Sequence, residues 1–116
     1  MKAFIRVMKA LSEPSRVKIV KMLQQKAMCV CELQAALGIA QSSVSKHLKI
    51  LEDAGIVDHT KDGLWVNYHL TDGTESPYVA ALLGNLRHWL EDDPEVQELT
   101  SRLPMIRRED ICRRVA

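Results

Sequence analysis

The chain predicts a mainly α fold with one small β-hairpin, arranged as a winged helix-turn-helix. Three observations lead there. Residues Leu33–Gly55 read as a short helix, a turn and a second helix; residues 56–70 read as a hairpin that follows at once. Amphipathic helices carrying more apolar surface than one such core can cover lie on either side.

Taken in order, Phe4, Ile5, Val7, Met8 and Leu11 recur at helical spacing and predict a first helix ending near Ser12. Ser12 is expected to cap the next helix, with Pro14 in its first turn. That helix repeats Val17, Ile19, Val20, Met22 and Leu23 and is expected to stop near Gln25. Its broad apolar face suits an element wedged in the centre of a small domain.

The helix-turn-helix follows. Leu33, Ala36 and Leu37 form one apolar stripe, and Gly38 supplies the left-handed conformation that ends a helix. Val44, Leu48 and Leu51 form the stripe of the next helix. Opposite them lie Gln41, Ser42, Ser43, Ser45, Lys46, His47 and Lys49. Short hydroxyls approach a phosphate closely and lysines supply charge, which is what a helix in a DNA major groove needs. The bland alternative is the solvated face of an ordinary helical pair. Ala40 stands where a Ser or Thr cap is expected, a difference of about 1 kcal/mol in helix stability.

After Gly55 the period changes to alternation. Residues 56–61 and 64–70 flank Asp62-Gly63, a strong short hairpin signal. Lys61 is expected at the tip, in reach of a phosphate. A hairpin directly behind a helix-turn-helix is a wing, and the pair points to duplex DNA more specifically than either part alone.

Beyond a polar connection at 71–77, a long helix is expected over Tyr78–Leu90, with Tyr78, Val79, Leu82, Leu83, Leu86 and Trp89 as its stripe. Pro94 opens a short helix through Leu103 and Pro104 stops it. One domain over residues 1–104 and a charged tail over 105–116 are expected. The first helix and the Tyr78–Leu90 helix are expected to form the seam of a homodimer, whose two recognition helices would meet half-sites roughly 34 Å apart.

Bulk properties narrow the class. A chain of 116 residues, 47% hydrophobic and 27% charged, fits one soluble globular domain. Its net charge of +1 divides unevenly. Residues 1–70 carry ten Lys/Arg against six Asp/Glu, whereas residues 71–116 carry six Arg, no Lys and nine Asp/Glu. A basic body joined to an acidic segment suits a DNA-facing half and a remote second half. Arg6 and Lys9 interrupt any signal-peptide core and no apolar run is long enough to cross a bilayer, so a cytoplasmic location is expected.

Three cysteines, an odd number, point in such a compartment to thiol chemistry rather than a disulfide framework. Cys29 reads as the cap of the third helix, with Glu32 at capping-box spacing. A helix N-terminus favours thiolate, the form that binds soft ions. Residues i and i+2 of a regular helix point to different faces, so Cys29 and Cys31 can share one ion only if Cys29 lies outside the helix or the first turn loosens. The alternative is two small apolar residues buried at a helix start.

In Leu11-Ser12-Glu13-Pro14-Ser15-Arg16, Cys29-Val30-Cys31-Glu32-Leu33, Gln41 through Lys49, Ala54-Gly55-Ile56-Val57 and the wing from Lys61 to Leu70, the chain resembles the arsenical-resistance repressor (ArsR/SmtB) family of winged-helix metal sensors. The likeness covers most of residues 1–90, in the right order. It implies a homodimer with no constitutive cofactor that represses its own resistance operon and leaves the operator DNA when an inducer binds. Arsenite or antimonite is the inducer it implies, with another thiophilic metal as alternative. Arsenic-sensing members carry a third Cys where this chain has Gln34, and Cys112 is the remaining sulfur ligand of that kind. The paired sites of zinc-sensing members would need more than His88 on the long helix, so that site is expected to be absent.

Two other classes compete. A thiol-redox or persulfide sensor on the same fold would use the same cysteines. A cysteine-based enzyme would need a base beside the nucleophile, yet His47, His59, His69 and His88 all stand far from Cys29 and Cys31 in sequence and read as surface or structural residues.

Overall fold

The structure is a computed structural model and describes residues 1–111. Its helices are α1 (Lys2–Ala10), α2 (Pro14–Leu23), α3 (Val30–Leu37), α4 (Gln41–Asp53), α5 (Pro77–Leu86), α6 (Pro94–Arg102) and a final turn α7 (Arg108–Ile111). Strands β1 (Met28–Cys29), β2 (Val57–Asp62) and β3 (Trp65–Leu70) form one antiparallel sheet in the order β1-β3-β2. The mainly α, winged architecture is the expected one.

The core gathers one face of each helix. Ile19, Val20 and Met22 of α2, Leu33 of α3, and Val44, Leu48 and Leu51 of α4 are all buried. Burying a leucine contributes about 2 kcal/mol relative to leaving it exposed. The α4 stripe alone therefore fixes which face of that helix looks outward. A Schellman motif closes α4: Gly55 N–H donates to Glu52 O and Ile56 N–H to Leu51 O, both at 3.0 Å. The chain then leaves the helix straight into β2.

Several expectations need correction. Helix α1 stops at Ala10, and the cap of α2 is Glu13 rather than Ser12: the Glu13 carboxylate accepts from Arg16 N–H at 3.1 Å. Ser12 instead donates its hydroxyl to Lys9 O. Strand β1 was not expected. Met28 pairs with Tyr68 and Cys29 with Asn67, which adds a short third strand to the wing. In the hairpin, Asp62 pairs with Trp65, so the two-residue loop is Gly63-Leu64, with Gly63 at φ +63°. Lys61 pairs with Val66 within the sheet, and the residue at the tip is Leu64.

The largest departure is α5, which ends at Leu86 instead of Leu90. Lys21, only 2% exposed, causes it. Its ammonium donates to Leu86 O at 2.7 Å, Trp89 O at 3.0 Å and the Glu91 carboxylate at 2.8 Å. A buried ammonium requires such acceptors, and the ends of helices offer free carbonyls. The chain turns away from the helix axis to provide them, and Leu90 takes a left-handed φ of +66°.

The turn before α5 holds Gly73 at φ +75°, where a Cβ would lie 2.7 Å from Ala80 Cα. Gly73→Ala combines left-handed strain with a clash against helical backbone. It should lower stability by about 2–4 kcal/mol, read as a shift in the urea midpoint. A change below 1 kcal/mol would mean that α5 is free to move away.

Residues 103–111 return to the body. Leu103 and Ile106 are buried, and Lys26 donates to Leu103 O at 3.2 Å and Ile106 O at 2.8 Å. Helix α7 then packs against α3. Cys112, the possible third thiol, lies outside the described residues, as does Val115. Among the described residues no helix is long and apolar enough to cross a membrane.

Candidate nucleic-acid interface and thiol site

Burial of Val44, Leu48 and Leu51 turns the opposite side of α4 to solvent. Gln41, Ser42, Ser45, Lys46 and Lys49 are exposed there. Ser43 and His47 sit on the flank and are half-buried. His47 faces α2, where Arg16 Nη1 lies 3.2 Å from His47 Nδ1 and the Glu13 carboxylate lies 3.8 Å away. Arg16 also donates to Ala10 O at 2.7 Å, so this one guanidinium ties the end of α1 to the recognition helix. Lys49 is shared with Asp53 in an ion pair of 3.2 Å, one turn further on.

Ala40 caps α4 without a side-chain hydrogen bond, and its carbonyl accepts from Ser43 and Val44. The first donors of the helix therefore look outward beside Ser42, where an anion would be stabilised by the helix dipole. Lys61 is exposed on β2. At the root of the wing, His59 Nδ1 lies against the Glu52 carboxylate and the His59 ring packs on Tyr68. Burial, and then the Glu52 charge, push the Tyr68 hydroxyl above its ordinary range. Helix α4 and the wing are thus held as one unit.

The thiols lie where β1 passes into α3. Cys29 has extended backbone (φ −88°, ψ 169°), ends β1 and caps α3. Its N–H donates to the Glu32 carboxylate at 3.0 Å, one half of a reciprocal capping box. Cys29 is buried and Cys31, within the first turn, is half-buried. Cys29 lies outside the helix, which is the first of the two arrangements under which both thiols could share one ion. Among the described residues no third His, Cys, Asp or Glu atom completes a cluster with the two thiols; the three-residue group found is Glu52, Asp58 and His59 at the wing root.

What sequence reasoning missed is Arg108. Its guanidinium donates to Asn67 Oδ1 at 3.0 Å and to the Asp62 carboxylate at 2.5 Å, and sits 4.1 Å from the centre of the Trp65 ring. No motif signals it, because each partner is more than 40 residues away in sequence.

A solvent-facing helix with hydroxyls and lysines and a flanking three-stranded wing define a winged helix-turn-helix DNA-binding regulator. A family model described as bacterial regulatory protein, arsR family, matches residues 13–59. The arsenical resistance operon repressor of Escherichia coli K12 is 31% identical over 102 residues, covering 85% of this chain and 83% of the relative. The chain belongs to the arsR family of bacterial regulatory proteins, which are transcriptional regulators and not enzymes. Among solved structures, HlyU from Vibrio cholerae N16961 superposes with a TM-score of 0.65 at 30% identity, over 79% of this chain and 95% of that one. A homodimeric winged helix-turn-helix DNA-binding domain from Mycobacterium bovis superposes with a TM-score of 0.63 at 26% identity, over 74% and 76%.

Proposed function

We propose that this chain is a dimeric repressor that releases operator DNA when trivalent arsenic or antimony binds the thiols of Cys29 and Cys31. One observation carries the reading: Cys29, whose thiol can ligate a soft ion, is both the cap of α3 and the strand partner of Asn67 in the wing. An ion held by both thiols pulls on Cys29, and Cys29 cannot move without disturbing either α3 or the wing. The family and the name of the Escherichia coli relative support the repressor role and the arsenical inducer.

The chemistry is ligand exchange. Each thiol replaces one hydroxide of arsenite: an S–H and an As–O bond break, an As–S bond forms, and water leaves without net oxidation. In the DNA-bound form Gln41, Ser42, Ser45 and Lys46 face the groove, Ser43 and His47 line its edge, and Lys49 and Lys61 approach phosphates. The dimer seam uses α1 and α5, where Phe4 and Tyr78 stack edge to face at 5.3 Å and both remain 39% exposed. Cys112 is the candidate third ligand, from its own subunit or from its partner's.

The test is operator binding by fluorescence anisotropy, with and without arsenite. Cys29→Ser/Cys31→Ser should bind the duplex within about threefold of the parent and lose release by arsenite. Cys112→Ser should lose the arsenite response but keep that to a phenylarsenical, which offers only two exchangeable positions. Full inducibility of the double variant would remove the thiol pair from the mechanism. Release by a mild oxidant but not by arsenite would favour the redox reading.

A further inference from the structure

We propose that Arg108 is the positioning residue that conveys the state of the Cys29–Cys31 site to the wing, an inference that rests on the reading above. The observations converge on one strand. Cys29 pairs through its backbone with Asn67, and the Asn67 side chain accepts from Arg108 at 3.0 Å. The same guanidinium reaches Asp62, beside the hairpin loop, and covers the Trp65 ring. Thus one side chain from the C-terminal segment holds the strand that neighbours the thiols and the end of the wing that neighbours DNA.

The grip is of the strong kind. A planar guanidinium that donates to a carboxylate and an amide while stacking on an indole is geometrically over-determined, and lysine cannot reproduce it. Hydrogen bonding to Asp62, above all, raises the Arg108 pKa; negative charge on Asp62, Glu109 and Cys29 acts in the same direction. Gathering Cys29 towards Cys31 displaces the backbone partner of Asn67, and Asn67 is what Arg108 holds. That displacement loosens the clamp, and the wing is released from its DNA-binding orientation.

The experiment uses the full chain and phenylarsine oxide, which bridges two thiols with loss of one water. Two readouts are taken: the ratio of operator Kd with and without the probe, and the emission of Trp65 in a Trp89→Phe background. The parent should show a ratio of at least about tenfold and a probe-induced change in Trp65 emission. Arg108→Ala should still take up the probe, by thiol titration, while the ratio falls below about threefold and the emission change disappears. Asp62→Asn, which touches no thiol, should lower the ratio in the same direction, and Arg108→Lys should not restore it. An unchanged ratio in Arg108→Ala overturns the proposal, as does loss of probe uptake, which would make Arg108 part of the site itself. If no thiol reagent releases operator from the parent, the reading of Cys29 and Cys31 as the inducer site fails separately. The link then stands if the Trp65 change depends on Arg108, and falls if it does not.

Discussion

Lys46→Ala/Lys61→Ala should lower affinity for operator duplex by on the order of 10²–10³-fold at physiological salt and flatten its salt dependence. Both lysines are exposed, one on the outward face of α4 and one on β2. No ion pair within the chain engages either among the described residues, whereas Lys49 is shared with Asp53. A dimer brings four such charges to the duplex. Each phosphate neutralised contributes a slope of about 0.9 in the logarithm of affinity against that of salt, so the magnitude of the slope should fall by roughly 3–4. The loss should be nearly equal for specific and unrelated sequences, because phosphate contacts position without specifying. Folding stability should stay within about 0.5 kcal/mol, as for surface positions generally. Lys49→Ala should cost less than either partner of the pair. An unaltered salt slope would place the DNA on another surface.

Lys21→Ala should cost about 3–5 kcal/mol of stability, compared at equal protein concentration because dimerisation contributes. The side chain is 2% exposed and supplies the acceptors' donor for Leu86 O, Trp89 O and Glu91. Its removal leaves two carbonyls at the end of α5 short of a partner, and each buried group left so costs about 1–3 kcal/mol. Lys21→Met keeps most of the packing but none of the donors and should fall between the two. Since Lys21 also sets where α5 stops, the variant should dimerise more weakly. Stability equal to that of the parent would show that water replaces the ammonium freely, and would detach the end of α5 from α2.

The parts legible in the sequence are those whose causes are local. The α4 stripe needs only Val44, Leu48 and Leu51 at helical spacing, and the capping box needs only Cys29 and Glu32. The wing needs two alternating runs about a turn. Its loop is displaced by one residue because Gly63, read as the second loop position, is the first, and Asp62 remains in the ladder. The illegible parts depend on distant partners. Strand β1 is two residues long and exists because β3, some 40 positions later, offers an edge. Helix α5 ends where Lys21 draws its carbonyls, across a separation of 65 residues. Glu13 displaces Ser12 as a cap because its longer carboxylate reaches Arg16 N–H from the last residue before Pro14. For the candidate site, the thiol pair and the polar face of α4 are legible in the sequence, whereas the contacts of Arg108 with Asn67 and Asp62, each more than 40 residues away, are not.

The most direct measurement is one titration with two signals. The protein, bound to a labelled operator duplex, is titrated with arsenite while thiolate-to-arsenic absorbance and duplex anisotropy are recorded together. If ion binding at the thiols drives release, the two curves superimpose, both saturate at one arsenic per subunit, and both vanish in Cys29→Ser/Cys31→Ser. Thiols that load fully while the duplex stays bound, or a duplex that leaves with no thiolate signal, would contradict it.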